Sequence, residues 1–272
     1  MSQIKLLTIL ILFTSNLTAQ SLVDRLFFSN PENYSLKAHV KKLTETSFIT
    51  SEKTDPTDDD CPKIIEFNID SKTTHSTYCE LILYFDYEYI YDENGLLIEK
   101  YNPNNSEEFK YDKRNNLIER KYGVSKDGFY GSWTYKYDEK NNQIERIGFI
   151  GHSFVERWKH IYNNDNRRIK EIMVDEVTDS TIYIIRNFEY DDNGNVTRQQ
   201  YLPDGSNTQE WNDFFKYNKY DDRIEWKRID SNGYEEIELY EYKYDYANNW
   251  VEKKTFKNNK LKETRRRDID YW

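Results

Sequence analysis

Five tryptophans between positions 133 and 250 are the side chains best suited to recognition: Trp133, Trp158, Trp211, Trp226 and Trp250. Indole rings left open to solvent stack on sugars and anchor protein contacts. Trp133, Trp158, Trp211 and Trp250 are therefore the candidate binding residues. Strand parity puts Trp133, Trp158 and Trp226 on one sheet face and Trp250 on the other, which makes Trp250 the best exposed candidate. Catalytic chemistry finds little support. The four histidines, His39, His75, His152 and His160, have no partner at metal-ligand spacing. No G-x-S-x-G, P-loop or H-E-x-x-H segment is present. Carboxylates are so numerous that no glycosidase pair stands out. Asp92, Asn94 and Gly95, and again Asp191, Asn193 and Gly194, look like pieces of a calcium loop. The full spacing with its terminal Glu is absent, and a turn explains them better. Asp58, Asp59 and Asp60 read as a solvated loop. The expectation is a non-enzyme with no catalytic residue, no metal and no cofactor.

Residues 1–19 read as a secretory signal, with Lys5 as the charged start, an apolar run over 6–13 and Ala19 before Gln20. The run is far shorter than the about 20 residues that cross a membrane. Export to the periplasm, the cell surface or the exterior is expected, without a membrane span. An oxidising compartment would let Cys61 and Cys79 pair. Closing that loop stabilises by roughly 3 kcal/mol in the chain-entropy account. The chain carries 39 Lys+Arg against 49 Asp+Glu, a formal charge of −10, which argues against nucleic acid as a partner. Charged residues at 32 % and apolar residues at 37 % approach the composition of disordered chains. An aromatic fraction of 16 %, with 24 Tyr, points to a folded one.

The elements that would position these residues repeat. Anchor tyrosines stand at Tyr91, Tyr111, Tyr137, Tyr162, Tyr190, Tyr217 and Tyr244, spaced by 20, 26, 25, 28, 27 and 27 residues. Periods of this size indicate stacked supersecondary units. One residue after each anchor stands Asp or Asn, a turn starter. Four residues after it stand Gly95, Asn115, Asn141, Asn166, Gly194, Asp221 and Asn248, types that tolerate a left-handed backbone. Seven residues after it stand Ile98, Ile118, Ile144, Ile169, Thr197, Ile224 and Val251, all β-branched and suited to strands. Two residues before it stands an aromatic ring, or His160 in the fourth unit. A hairpin with a four-residue loop sets each anchor opposite the β-branched residue. It also makes cross-strand charge pairs of Lys110–Glu119, Lys136–Glu145, Lys216–Glu225 and Lys243–Glu252, with the signs jointly reversed in Glu189–Arg198. Units one and four depart, with Ile90–Glu99 and Ile161–Lys170. The same register sets rings opposite cations in Tyr89–Lys100, Phe109–Arg120, Tyr135–Arg146 and Tyr242–Lys253. One face is then an apolar ladder of Tyr, Ile and rings, and the other is charged.

The recurring Y-x-Y-D-x-x-G/N-N pattern, as in Tyr135, Tyr137, Asp138, Asn141 and Asn142, resembles the YD repeat, also called the RHS repeat, over residues 84–272. That resemblance implies an all-β antiparallel meander of hairpins forming a curved or spiralling sheet. It also implies cell-surface, toxin and carbohydrate-binding contexts, so a glycan or a surface protein is the expected partner. The turn Gly is mostly Asn here, and the spacing exceeds the usual period. Residues 20–83 read as a capping β region, with a first strand over 36–50 and an acidic loop over 51–60. Residues 265–272 read as a closing edge strand, its Arg265, Arg266 and Arg267 discouraging edge pairing. An outer-membrane barrel is not expected, because neither face is an uninterrupted apolar band.

Overall fold

A computed structural model of the chain describes residues 36–49, 62–80, 83–124, 128–151, 153–174, 182–203 and 210–272. The expected leader, the acidic loop, His152 and the Cys61–Cys79 pairing fall outside the described residues. The described strands belong to one compact unit, Lys37–Trp272. They are β1 (Val40–Ile49), β2 (Lys63–Phe67), β3 (Thr73–Glu80), β4 (Leu83–Tyr91), β5 (Leu97–Asn102), β6 (Asn105–Tyr111), β7 (Leu117–Val124), β8 (Gly131–Tyr137), β9 (Gln143–Ile150), β10 (Ser153–Tyr162), β11 (Arg168–Val174), β12 (Ile182–Tyr190), β13 (Val196–Pro203), β14 (Trp211–Tyr217), β15 (Arg223–Asp230), β16 (Glu235–Tyr244), β17 (Trp250–Lys257) and β18 (Lys260–Tyr271). Each strand pairs antiparallel with the next. β18 then pairs antiparallel with β1.

The meander is therefore closed into an 18-stranded barrel, not an open or spiralling sheet. The C-terminal strand is correspondingly not an edge. Arg267 faces Glu45 across the β1–β18 ladder and binds it at 2.8 Å, while Arg266 binds Glu252 at 3.2 Å. Arg267, read as one guard of an open edge, instead helps to close it, while Arg266 ties β18 to β17.

Turn chemistry explains the hairpins. In the first repeat the Gly95 N–H donates to the Asp92 carbonyl, and the Asp92 carboxylate accepts the N–H groups of Asn94 and Leu96. The residue four after each anchor has positive φ in all seven units: 80° at Gly95, 64° at Asn115, 65° at Asn141, 59° at Asn166, 92° at Gly194, 65° at Asp221 and 62° at Asn248. This is a three-residue loop ending in a left-handed residue. An eighth copy lies in the segment read as a cap. Asn68 caps the β2–β3 turn, accepting from the N–H groups of Asp70 and Lys72, and Ser71 has φ 61°. Its anchor is Phe67, which is why a search on tyrosine passes over it.

The charge-pair register holds throughout, as do the ring–cation pairs. Lys110–Glu119, Lys136–Glu145, Lys216–Glu225, Lys243–Glu252 and Arg198–Glu189 are ion pairs of 2.6–2.9 Å. The anchor register differs by one residue. Tyr137 faces Gln143, Tyr111 faces Leu117 and Tyr244 faces Trp250. The loop is one residue shorter than a four-residue loop, and a bulge beside the anchor inserts one residue, so the two errors cancel one step further along. The inserted residue is the β-branched one. Ile98, Ile118, Ile144 and Ile169 are 37–39 % exposed and do not belong to a sheltered apolar ladder. The same shift puts Trp250 on the face of Tyr242 and Tyr244, not the opposite one.

Asn141→Ala should cost about 1–2 kcal/mol, the penalty of a left-handed backbone for an ordinary residue. Asn141→Gly should cost markedly less. Urea unfolding of the two variants checks this, and equal losses would mean that the position is not selected for its backbone.

Candidate functional site

The anchor hydroxyls bind one hairpin to the next. Tyr91 donates to the Thr73 carbonyl, Tyr111 to Leu97, Tyr137 to Leu117, Tyr162 to Gln143, Tyr190 to Arg168 and Tyr217 to Val196, all at 2.6–2.9 Å. Each acceptor is the residue six after the preceding anchor. At the seventh unit Tyr242 takes over, donating to the Arg223 carbonyl at 2.8 Å, and Tyr244 turns to the Asp222 carboxylate at 2.7 Å. Tyr271 on β18 closes the series by donating to Asp245, and it accepts from Asn249 at 2.8 Å. Burial pushes Tyr137 and Tyr271 up to about 12, so these donors keep their protons across the neutral range.

A second belt ties neighbouring turns. The Asn116 amide donates to Asp112 in its own turn and to Asn141 in the next. Asn142 repeats this with Asp138 and Asn166, and Asn195 with Asp191 and Asp221. The bonds from Asn116 and Asn142 hold Asp112 and Asp138 below the usual carboxylate range. The last member, Asn249, is buried and binds both the N–H and the carbonyl of Lys37. The turn residues that look like calcium-loop pieces are thus engaged with backbone and with one another.

The aromatic face carries the tryptophans. Trp133 and Trp158 are 5 % and 0 % exposed. The Arg146 guanidinium lies 5.3 and 5.2 Å from their centroids, and Arg186 lies 4.8 Å from Trp158. Gly148 admits the Trp133 ring, since a Cβ there would stand 2.9 Å from it. Neither indole offers the open stacking surface expected of a binding platform. Trp211 stacks on Tyr201 at 3.7 Å and lies under Arg228, whose fork grips Asp213. Trp226 also lies beneath Arg228, at 5.2 Å. Trp250 is covered by Arg267 at 3.4 Å and meets Tyr242 edge-on. The most exposed rings among the described residues are instead Tyr246, Tyr234 and Trp272, at 83 %, 63 % and 57 %. Tyr246 and Tyr234 sit within or at the end of hairpin turns, and that position is the sequence signal that finds them.

His160 takes the place of a ring at the base of this stack. Its Nδ1–H donates to the Gln143 carbonyl at 2.9 Å, and its Nε2 stands 3.8 Å from Glu171. Burial pushes the imidazole down to about 4, against the opposing pull of Glu171. Burial also penalises the Glu171 carboxylate, but Arg168 at 2.7 Å and Arg186 at 3.3 Å outweigh it and hold it low. The result is a neutral imidazole beside an ionised carboxylate, with side chains 1 % and 5 % exposed. Such a pair organises charge inside the wall and has no open approach for a substrate. His75 on β3 differs, standing in solvent reach with its two nitrogens 3.2 and 3.0 Å from Asp86 and Glu88. His39 is exposed.

No family model matches the chain, and no curated protein matches it. Solved structures do. A porin-like protein from Bacteroides uniformis aligns at 10 % identity and TM-score 0.47, over 86 % of this chain and 99 % of that one. A porin-like protein from Bacteroides vulgatus aligns at 12 % identity and TM-score 0.42 over the same shares. The TcdB2–TccC3 structure aligns at 12 % identity and TM-score 0.43, over 78 % of this chain but 14 % of that one.

His160 makes stability depend on pH. Its folded value lies below the ordinary 6.5, so the unfolded chain binds the extra proton first as pH falls. The stabilisation is complete above pH 6.5 and is lost progressively down to about 4. At pH 5 the loss should be about 2 kcal/mol relative to pH 7. His160→Phe, which restores the ring of the other units, should flatten that part of the profile. Urea unfolding at pH 7 and pH 5 measures both.

Proposed function

We propose that the protein is an exported, non-catalytic scaffold of the cell envelope, a closed barrel that presents its faces and turns to a glycan or a surface protein. The observation that carries this reading is the β1–β18 closure. Among the described strands none is left to pair with a partner by strand addition, so recognition falls to side chains. The buried ionisable groups described above bind one another, which supports a wall and not an active site. Ion pairs and cations interrupt both faces: Arg120, Arg146 and Lys253 on the aromatic face, and pairs such as Lys136–Glu145 on the other. A lipid-facing wall needs an apolar band, and these interruptions support a barrel beside the membrane rather than within it. No helix among the described residues is long and apolar enough to cross one.

The chain should purify and stay monodisperse in aqueous buffer without detergent. A requirement for detergent would overturn the placement. A glycan array and a pull-down on envelope extract test the binding role, and silence on both would leave a purely structural envelope protein. The hydroxyl ladder favours that second reading, because it serves cohesion alone. Under it, deleting one hairpin lowers stability while Trp250→Ala changes no interaction.

A further inference from the structure

Among the described residues, the seam of the barrel gathers the cations Arg223, Lys253, Arg265 and Arg267 around the carboxylates Glu45 and Glu263. Lys253 on β17 faces Tyr242 on β16 and Arg265 on β18. Its ammonium lies 4.5 Å from the Tyr240 ring centre and 5.7 Å from that of Tyr242. Arg223 on β15 completes the group, its carbonyl held by the Tyr242 hydroxyl and its guanidinium over Phe215. The nearby carboxylates are already engaged. Glu263 accepts Arg265 and Ser47, and Glu45 accepts Arg267 and stands 3.7 Å from Arg265. They also lie deep, with side chains 18 % and 13 % exposed, whereas Arg265 is 43 % exposed. The equivalent Lys100 on β5 has Glu107 at 3.3 Å; Lys253 has no carboxylate at ion-pair distance among the described residues.

We propose that Arg223, Lys253 and Arg265 form an anion-holding subsite for an acidic glycan, with the Lys253 ammonium carried on the Tyr240 and Tyr242 rings. This rests on the binding reading above and narrows it to glycans that carry carboxylate or sulfate groups. Adjacent strands stand about 4.8 Å apart, so the three cations span neighbouring sugar units along a chain laid across the strands. The ammonium already feels the surplus charge: burial, then Arg265 and Arg223, push Lys253 down to about 8. The other groups facing it are Tyr240 and Tyr242 from β16, Glu263 from β18 and Glu45 from β1. A bound anion favours the ammonium, so binding takes up protons and weakens as pH rises through about 8.

Titration calorimetry of the full chain with hexagalacturonate, neutral cellohexaose and inorganic sulfate tests the subsite. Hexagalacturonate should bind at least tenfold more tightly than cellohexaose. Its affinity should fall between pH 7 and pH 9 in the native chain but not in Lys253→Arg, whose guanidinium stays charged. Lys253→Gln should weaken binding at least fivefold at pH 7 and lower the salt slope by about one. Lys253→Arg, which keeps the charge, distinguishes this from misfolding. Equal binding of the two hexamers, or an unchanged Lys253→Gln, overturns the subsite while leaving the scaffold reading intact. Binding of sulfate alone overturns the glycan assignment. Silence toward every glycan on the array and in the calorimeter removes the glycan reading and the subsite together.

Discussion

The hydroxyl that each hairpin gives to the backbone of the hairpin before it is the interaction on which this barrel depends. A single bond of this kind contributes on the order of 1 kcal/mol. Six in succession, from Tyr91 to Tyr217, all use the residue six after the preceding anchor. Such a bond forms only if neighbouring hairpins stand in one register, so the ladder sets geometry as much as stability. The bulge beside each anchor belongs to the same device, because it leaves the anchor opposite the acceptor position of its own unit.

The rest of the wall follows from how a polar sequence can be sheltered. Apolar residues are only 37 % of the chain, and among the described residues the fully buried large side chains are few: Trp158, Leu43 and Ile65. Rings covered by long cations supply the remainder. Arg146 between Trp133 and Trp158, Arg267 over Trp250 and Lys253 over Tyr240 bury aromatic surface while their charged ends find carboxylates, rings or water. Glu171 and Glu107 lie beneath such cations with side chains 5 % and 11 % exposed. Deep carboxylates and shallower cations give an acidic protein a locally basic aromatic surface.

Local chemistry was legible from residue types alone. Gly95, Asn115 and Asp221 announce a left-handed turn, and the joint reversal of Glu189 and Arg198 announces a cross-strand pair. What could not be read was anything set by counting through an irregularity. A bulge costs one residue and changes no residue type, so counting along the sequence misplaces both Ile144 and the side of Trp250. Closure was also illegible. It depends on β1 meeting β18, more than two hundred residues apart, and Glu45 carries no mark of its partner Arg267. The tryptophans show the same limit, since composition names an aromatic surplus but not whether an arginine lies on top of it.

Closure also makes size come in discrete steps. An open array of repeats needs special ends and can gain or lose units freely, whereas here the first and last strands serve as each other's ends. Removing one whole hairpin would leave sixteen strands, and the two flanking the seam would still run in opposite directions. Removing a single strand would leave seventeen and set a parallel pair at the seam, a less stable pairing than the antiparallel one it replaces. Whole hairpins are therefore the favoured unit of gain and loss.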